Sequence, residues 1–415
     1  MIKTSTRLLV LLPIALSDLA VAQLWESETH RVELASRARM AHLEEDNTKG
    51  KAGSLLLRLN LHSRWTDNIA TLLELDHVET FLEDDHSDAV RMNGKPVIPD
   101  PPGTEINQLF ADYQGDIVHL RTGRQRINFD NQRFIGSGSF WQNEQTFDAL
   151  LAQTNIFSSS SMTYVYVVNV NRIFGDGATA RLSDNDIVYG ASAGERPVGL
   201  LGDHKLNAHL ARLEINEWDY TRLTAYTYLI DNQDARNLSN NTAGIKYHFS
   251  YKVSAIKYRA DLEAAVQTLQ ESDDDLQIPY YLADLGLGIG SFEFGGRYEI
   301  LGSKKNMGFI TPLGSVHEYQ GWADKFVTTP DAGIVDASIR VNWRIHPWRI
   351  DARYHFFDED AGQQRYGEEF DLDIAFKPWR KHELLLRYAD FRSSTDYRAS
   401  LSDEKKLILS YSYNL

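Results

Sequence analysis

Apolar and polar residues alternate along most of this chain. Leu55, Leu57, Leu59 and Leu61 interleave with Leu56, Arg58, Asn60 and His62, and Val335, Ala337, Ile339, Val341 and Trp343 with Asp336, Ser338, Arg340 and Asn342. Ile350, Ala352, Tyr354 and Phe356 repeat the pattern against Arg349, Asp351, Arg353 and His355, as do Phe370, Leu372, Ile374 and Phe376 against Asp371 and Asp373. Side chains of a strand point alternately to opposite faces, so each segment carries one apolar and one polar wall. We count about 18 such segments, each near the ~9–11 residues a tilted strand needs to cross a bilayer. They fall at 30–43, 54–65, 69–79, 104–114, 117–127, 145–153, 161–173, 204–215 and 219–230. The series continues at 241–250, 252–266, 277–287, 291–301, 333–344, 347–357, 366–377, 382–392 and 404–414.

The links alternate strictly between short and long. Thr66-Asp67-Asn68, Gly115-Asp116, Glu217-Trp218, Gly288-Ile289-Gly290 and Pro378-Trp379-Arg380 are short, whereas 80–103, 128–144, 174–203 and 302–332 are long and polar. Smaller members of the long series lie at 231–240, 267–276, 358–365 and 393–403. This rhythm predicts an all-β fold, a transmembrane antiparallel up-and-down barrel with short periplasmic turns and long extracellular loops. A soluble sandwich shows the same alternation but has no reason to keep one end short at every second link. Hydrocarbon offers backbone N–H and C=O groups no partner, so strands cross it only as a closed cylinder. The final stripe Leu407, Leu409, Tyr411, Tyr413 and Leu415 suits a closing strand.

The N-terminus sets the compartment. Lys3 and Arg7, the apolar run Leu8 to Leu16 and the small residues of Ala20-Val21-Ala22 form the three parts of a secretory signal. Cleavage near Ala22 leaves residues 23–415 as the barrel, with the Gram-negative outer membrane as its expected location. The apolar run is too short to span a bilayer. Across the 415 residues, 58 acidic side chains outweigh 43 basic ones for a net charge of −15, and there is no Cys. Thiolate metal sites, disulfides and Cys nucleophiles are thereby excluded, and an acidic chain without a basic face argues against a nucleic-acid partner.

Two stretches carry a family likeness. The first runs Gly123-Arg124-Gln125, Gln132-Arg133, Trp141 and Thr146-Phe147-Asp148. The second, more specific, runs Thr311-Pro312, His317, Gly321-Trp322-Ala323-Asp324-Lys325-Phe326, Pro330, Gly333 and Asp336. With the barrel pattern, they make the chain resemble the alginate export family of outer-membrane porins. The resemblance implies a monomeric barrel of about eighteen strands that passes an anionic polysaccharide or oligosaccharide, such as alginate, through a watery lumen. Exporters of that family narrow the pore with an inward-folded outer loop and a long periplasmic turn. Here the candidate turn, Lys377 to Lys381, is short. Either the plug is absent or another loop replaces it, which favours a more permissive channel. Loop 302–332, which holds Trp322, Asp324 and Lys325, is expected in the mouth or braced against its rim.

Turning each strand's polar side inward places Arg37, Arg39, Arg58, Arg64, Arg121, Lys257, Arg259, Arg297, Arg340, Arg349, Arg353 and Arg387 on the lumen wall. Glu33, Glu74, Asp76, Asp112, Asp261, Glu293, Glu299, Asp336, Asp351, Asp371 and Asp373 share those walls. Rings of charge select ions by sign, and Arg grips carboxylates with a two-pronged fork. The competing expectation is that Arg–acid pairs merely cross-brace the lumen.

Other chemistry is sparse. Gly286, Gly288 and Gly290 are followed by strand rather than helix, so they read as turn glycines and not a phosphate loop. The acidic runs Glu83-Asp84-Asp85, Asp273-Asp274-Asp275 and Asp358-Glu359-Asp360 lack calcium-loop spacing and read as solvated loops, with cation bridging to lipopolysaccharide as the alternative. His119 and His248 lie on strands without a recognisable Ser motif, and no Gly-x-Ser-x-Gly elbow is present. No cofactor or metal is expected. Expected partners are outer-membrane lipid, lipopolysaccharide and the anionic saccharide. An outer-membrane enzyme and an adhesive barrel with a blocked pore remain the alternatives.

Overall fold

The computed structural model describes residues 23–178, 201–269, 276–315, 317–397 and 400–413. The expected signal peptide, most of loop 174–203, the Asp273–Asp275 run and Leu415 lie outside the described residues. Eighteen long strands form one closed antiparallel barrel. They are β1 His30–Glu45, β2 Thr48–Arg64, β3 Ile69–Phe81, β4 Gly103–Gln114, β5 Val118–Gln125 and β6 Thr146–Asn155. Next come β7 Ser161–Asn171, β8 Asp203–Ile215, β9 Thr221–Asn232, β10 Asn240–Val253, β11 Ile256–Leu269 and β12 Gln277–Ile289. The ring ends with β13 Phe292–Leu301, β14 Ile334–Ile345, β15 Trp348–Asp358, β16 Arg365–Trp379, β17 His382–Ser393 and β18 Glu404–Tyr413. Each strand pairs with its sequence neighbours, and β18 closes onto β1 from Ser36 opposite Tyr413 to Glu45 opposite Glu404. Below that seam β1 runs on past the end of β18, and a four-residue strand, Gln23–Glu26, pairs with the overhang.

Closure satisfies every ladder and leaves no sheet edge in the membrane. The outer wall is apolar: Leu57, Ile245, Leu285, Ile339 and Leu407 all face away from the lumen and are exposed. Trp65, Trp218, Tyr220, Trp348 and Trp379 ring the short-turn end, the interfacial girdle of a membrane barrel.

Two sequence expectations change. The link 44–53 left between the first two segments is absent: β1 and β2 continue to Glu45 and from Thr48, joined by a tight turn with Asp46 at φ 45°. Small inward residues, Gly50, Ala52 and Ser54, carry the strand there, and their weak hydropathy hides the alternation. The strict short–long rhythm therefore fails at that link. Elsewhere strands also run further into their turns; β12 includes Gly288 and Ile289, and β16 includes Pro378 and Trp379, so the turn after β16 is only 380–381. No long periplasmic-type turn stands there, and narrowing comes from the opposite end.

Candidate functional site: the lumen constriction

The wall arginines are mostly paired. Arg39–Asp100, Arg58–Asp76, Arg121–Asp112, Arg259–Asp284, Arg297–Glu299, Arg340–Asp284, Arg353–Asp351 and Arg387–Asp373 all lie between 2.6 and 3.0 Å. Arg37 instead grips a loop, donating to Gln142 at 2.8 Å, to the Ser139 carbonyl at 3.0 Å and to the Trp141 carbonyl. Arg64 donates to the Glu28 carbonyl at 2.9 Å near the short-turn end. Among the described residues, Arg349 reaches only Glu383 as an ion partner, at 3.8 Å, and Lys257 has no ion pair. Glu299, Asp336, Asp351, Asp371 and Asp373, expected on the wall, are buried there, and Asp336 meets His355 at 2.8 Å. Four of these pairs, Arg58–Asp76, Arg121–Asp112, Arg259–Asp284 and Arg387–Asp373, join neighbouring strands, whereas Arg297–Glu299 and Arg353–Asp351 lie within one strand.

What sequence periodicity does not reveal is the clasp between two long loops inside the barrel. Loop 126–145 and loop 302–333 meet through an Ile135–Leu313 bridge. The Gly136 N–H donates to the Leu313 carbonyl at 2.9 Å, and the Ser315 N–H to the Gln132 carbonyl at 2.9 Å. Gln145 donates to the Gly136 and Leu313 carbonyls at 2.8 and 2.9 Å. Arg133 ties the clasp to the wall, donating to Glu299 at 2.9 Å and to Gln320 at 2.9 Å. Phe134 and Phe309 pack with Tyr226, Tyr228 and Tyr280, so apolar burial offsets the polar loop backbone brought into the lumen.

The family-type residues serve this arrangement. Gly123, at φ 119°, lets β5 approach the Leu109 carbonyl, where a side chain would clash. Arg124 pairs with Asp148 at 2.8 Å, and Gln125 donates to the Ala149 carbonyl at 3.0 Å. Phe147 is fully buried, and Trp141 packs with Leu43, Ile98 and Ile408. From the second block, Gly321 lies on Glu369, the Ala323 N–H donates to Glu369 at 2.7 Å, and Asp324 meets Lys406 at 2.5 Å. Lys325 binds Glu45 at 3.0 Å and Glu404 at 3.1 Å. Phe326 packs against Phe357, Tyr366 and Phe391.

Where the two loops meet the wall, rings and guanidiniums interleave. Arg39 and Arg387 lie 4.6 and 4.3 Å from the Phe140 ring centre, and Arg387 and Arg353 lie 4.0 and 4.9 Å from that of Trp322. His317 stacks on Phe140 at 3.8 Å and accepts from Arg387 at 2.6 Å while facing Asp324 at 2.7 Å. Burial drives the His317 imidazole down to about 4, so it is neutral near pH 7. Neutrality fits its place as acceptor for Arg387. Glu144 sits opposite in a nest of arginines; against the burial that would raise it, Arg58 and Arg126 hold its carboxyl at about 2. Trp322 is buried, so its ring serves to orient Arg353 and Arg387 rather than to meet a solute.

Residues 317–325 separate two chambers. On the short-turn side a cavity of about 450 Å³ is lined by Glu318, Tyr319, Gln320 and Trp322 with Arg297, Arg340, Arg349, Arg353 and Arg387. A further space of about 610 Å³ shares Arg259, Asp284 and Arg297 with it. On the long-loop side, about 640 Å³ is enclosed by His317, Asp324 and Lys325 together with Ile173, Phe174 and Pro312.

Sequence reasoning missed Asp100, Glu144 and Glu318, which lie in loops without periodicity, and Arg126, which fell within the expected segment 117–127 but lies just past the strand's end at Gln125. It also passed over Arg212, Lys246 and Lys406, although Leu213, Ile245 and Leu407 beside them mark the outward face and place all three inward. Arg212 binds Asp130 at 2.9 Å and Lys246 lies 3.5 Å from Glu263.

Comparison with known proteins agrees with the barrel fold. The chain is similar in fold to OccAB3 of Acinetobacter baumannii, with TM-score 0.66, 14% identity and 92% and 99% of the two chains covered. It is likewise similar to OpdQ of Pseudomonas aeruginosa, with TM-score 0.65, 13% identity and 93% and 98% covered. The outer membrane protein opdK of Pseudomonas aeruginosa gives TM-score 0.63, 13% identity and 93% and 98% covered. No curated protein sequence matches. A family profile described as Alginate export matches residues 46–268, more than half of the chain, including the Arg133 block but not the Trp322 block. On that match and on the closed barrel, the chain belongs to the alginate export family of outer-membrane β-barrel porins.

Proposed function

We propose that this porin is a passive channel for anionic polysaccharide or oligosaccharide, such as alginate, whose selectivity lies in arginines presented at the lumen constriction. The observation that carries the reading is the pair of guanidiniums, Arg353 and Arg387, held over the buried Trp322 ring at 4.9 and 4.0 Å. Their forks are already closed on Asp351 and Asp373, so the pair offers a fixed positive charge to a passing carboxylate rather than a fresh two-pronged grip. Ring support and acid neighbours weaken each contact enough for release, as conduction requires. In this reading the long loops face outward from the cell and the short turns face the periplasm. The mature chain, cleaved near Ala22, works as a monomer amid lipid and lipopolysaccharide, as a channel and not an enzyme.

Liposome swelling with uronate and neutral oligosaccharides of equal length tests the proposal. Anionic sugars are expected to permeate faster, and Arg349→Ala with Arg353→Ala to reduce that preference. Cation-preferring conductance in planar bilayers, unchanged by the double substitution, overturns it. The loop clasp favours a second reading, a barrel with a blocked pore and adhesive outer loops; an absence of open-channel current from the purified protein selects it.

A further inference from the structure

Strand register sets like charges face to face on the lumen wall near the short-turn end. On β14 and β15, Arg340 lies opposite Arg353 and Arg344 opposite Arg349. Directly opposed like charges on neighbouring strands repel. The first pair is relieved, because Arg340 binds Asp284 at 2.7 Å and Arg353 binds Asp351 at 3.0 Å. The second pair is not. Arg349, with 43% of its side chain exposed, has among the described residues only Glu383 as an acidic partner, at 3.8 Å. Arg344 is exposed and has no acidic partner among the described residues. Lys377 joins them from β16: its N–H donates to the Pro347 carbonyl at 2.8 Å, and it follows Ala375, the residue opposite Arg349, on the same face. Lys377 too is exposed and lacks an acidic partner among the described residues. The nearby acids are already engaged: Glu293 by Arg259 at 3.6 Å and Arg340 at 4.0 Å, Asp351 by Arg353 at 3.0 Å, and Asp373 by Arg387 at 2.7 Å.

Three bases of the long-loop end are held differently. Arg91 is held by Asp88 at 3.1 Å, Lys95 by Asp85 at 3.2 Å, and Lys325 by Glu45 at 3.0 Å. Those three bases are already paired, whereas Arg344, Arg349 and Lys377 stand together at the short-turn mouth with one carboxylate, Glu383, within 4 Å of them among the described residues.

We propose that Arg344, Arg349 and Lys377 form a capture site for the carboxylates of an anionic sugar chain at the short-turn mouth, so that the channel admits such chains faster from that side. A carboxylate between Arg344 and Arg349 relieves their repulsion and gains forked hydrogen bonds, and these adjacent cations raise the local potential that draws an approaching anion. From there Arg353 and Arg387 are the next guanidiniums along the wall of the adjoining cavity. The inference rests on the channel reading above and adds its polarity.

The test is single-channel recording of the full-length protein inserted in one orientation, with a uronate oligomer added to either side in turn. In the wild type, blocking events per unit concentration are expected to be at least about threefold more frequent from the short-turn side at low salt, with the difference fading as salt screens it. Arg344→Gln with Lys377→Gln is expected to remove most of that excess while leaving the rate from the loop side in place. Equal rates from both sides in the wild type overturn the capture site, and this holds even if the variant fails to insert. So does an excess that survives the double substitution. Those results leave the channel reading standing, whereas an absence of blocking from both sides, with salt current still flowing, brings down the substrate reading and the capture site together.

Discussion

The Ala323 N–H donates to the Glu369 carboxylate at 2.7 Å, which seats the second family block directly on the barrel wall. Gly321, two residues earlier, makes the approach feasible: its φ is 83°, and a Cβ there would run into the same carboxylate. A loop without this glycine cannot lie flat on β16.

Gly321→Ala is accordingly expected to lift the loop from the wall. The strained φ and the clash together cost on the order of 1–3 kcal/mol of loop docking. Strands do not depend on this contact, so circular dichroism should stay that of the wild type while single-channel conductance rises. An unchanged conductance means that residues 317–325 do not set the narrowest point.

Acid should loosen the same loop. Burial holds the His317 imidazole down to about 4, below its ordinary value of 6.5. A solvated His317 therefore binds more protons than the docked one between those values, and linkage makes docking weaker as pH falls through that window. Above pH 6.5 the stabilisation is fully present. Recordings from pH 7.5 to 4.5 are expected to show more frequent loop excursions at the acid end, and His317→Gln to flatten this dependence.

Lys406 and Asp324, 2.5 Å apart, pin the loop to β18, and Lys406 is almost wholly buried. Removing one partner of a buried ion pair costs about 3–5 kcal/mol, because the other charge is left uncompensated. Lys406→Met is thus expected to lower the temperature at which the detergent-solubilised barrel loses its heat-modifiable gel shift. Adding Asp324→Leu should recover part of the loss, and a strictly additive double variant contradicts direct coupling.

The outer wall offers a contrast between adjacent residues. Ile339 points to lipid and Arg340 to the lumen, one position apart on β14. Ile339→Arg places a charge on the lipid face at a cost of about 2–4 kcal/mol near the bilayer midplane. Folding titrations into bilayers are expected to show this loss, whereas Val335→Thr, near the long-loop end of the same strand, should cost little.

The sequence by itself determined the cylinder. A period of two, held over segments of bilayer length, leaves each side chain only two directions, so Ile339 and Arg340 are assigned by parity alone. Closure then follows from the need of every backbone group for a partner. Parity also put Arg353 and Arg387 inside, yet it was silent about their neighbours. The constriction was decided by tertiary structure, because it joins groups far apart in the chain: Arg133 with Glu299, Phe140 with His317, Asp324 with Lys406. Loop residues have no periodicity to read, and their positions depend on which wall charges lie opposite once the ring has closed. The same holds for charge. A lumen arginine is legible in a strand, but whether it is spent on a carboxylate, as Arg387 is, or left open, as Arg344 is, depends on register between strands and on loops folded against them.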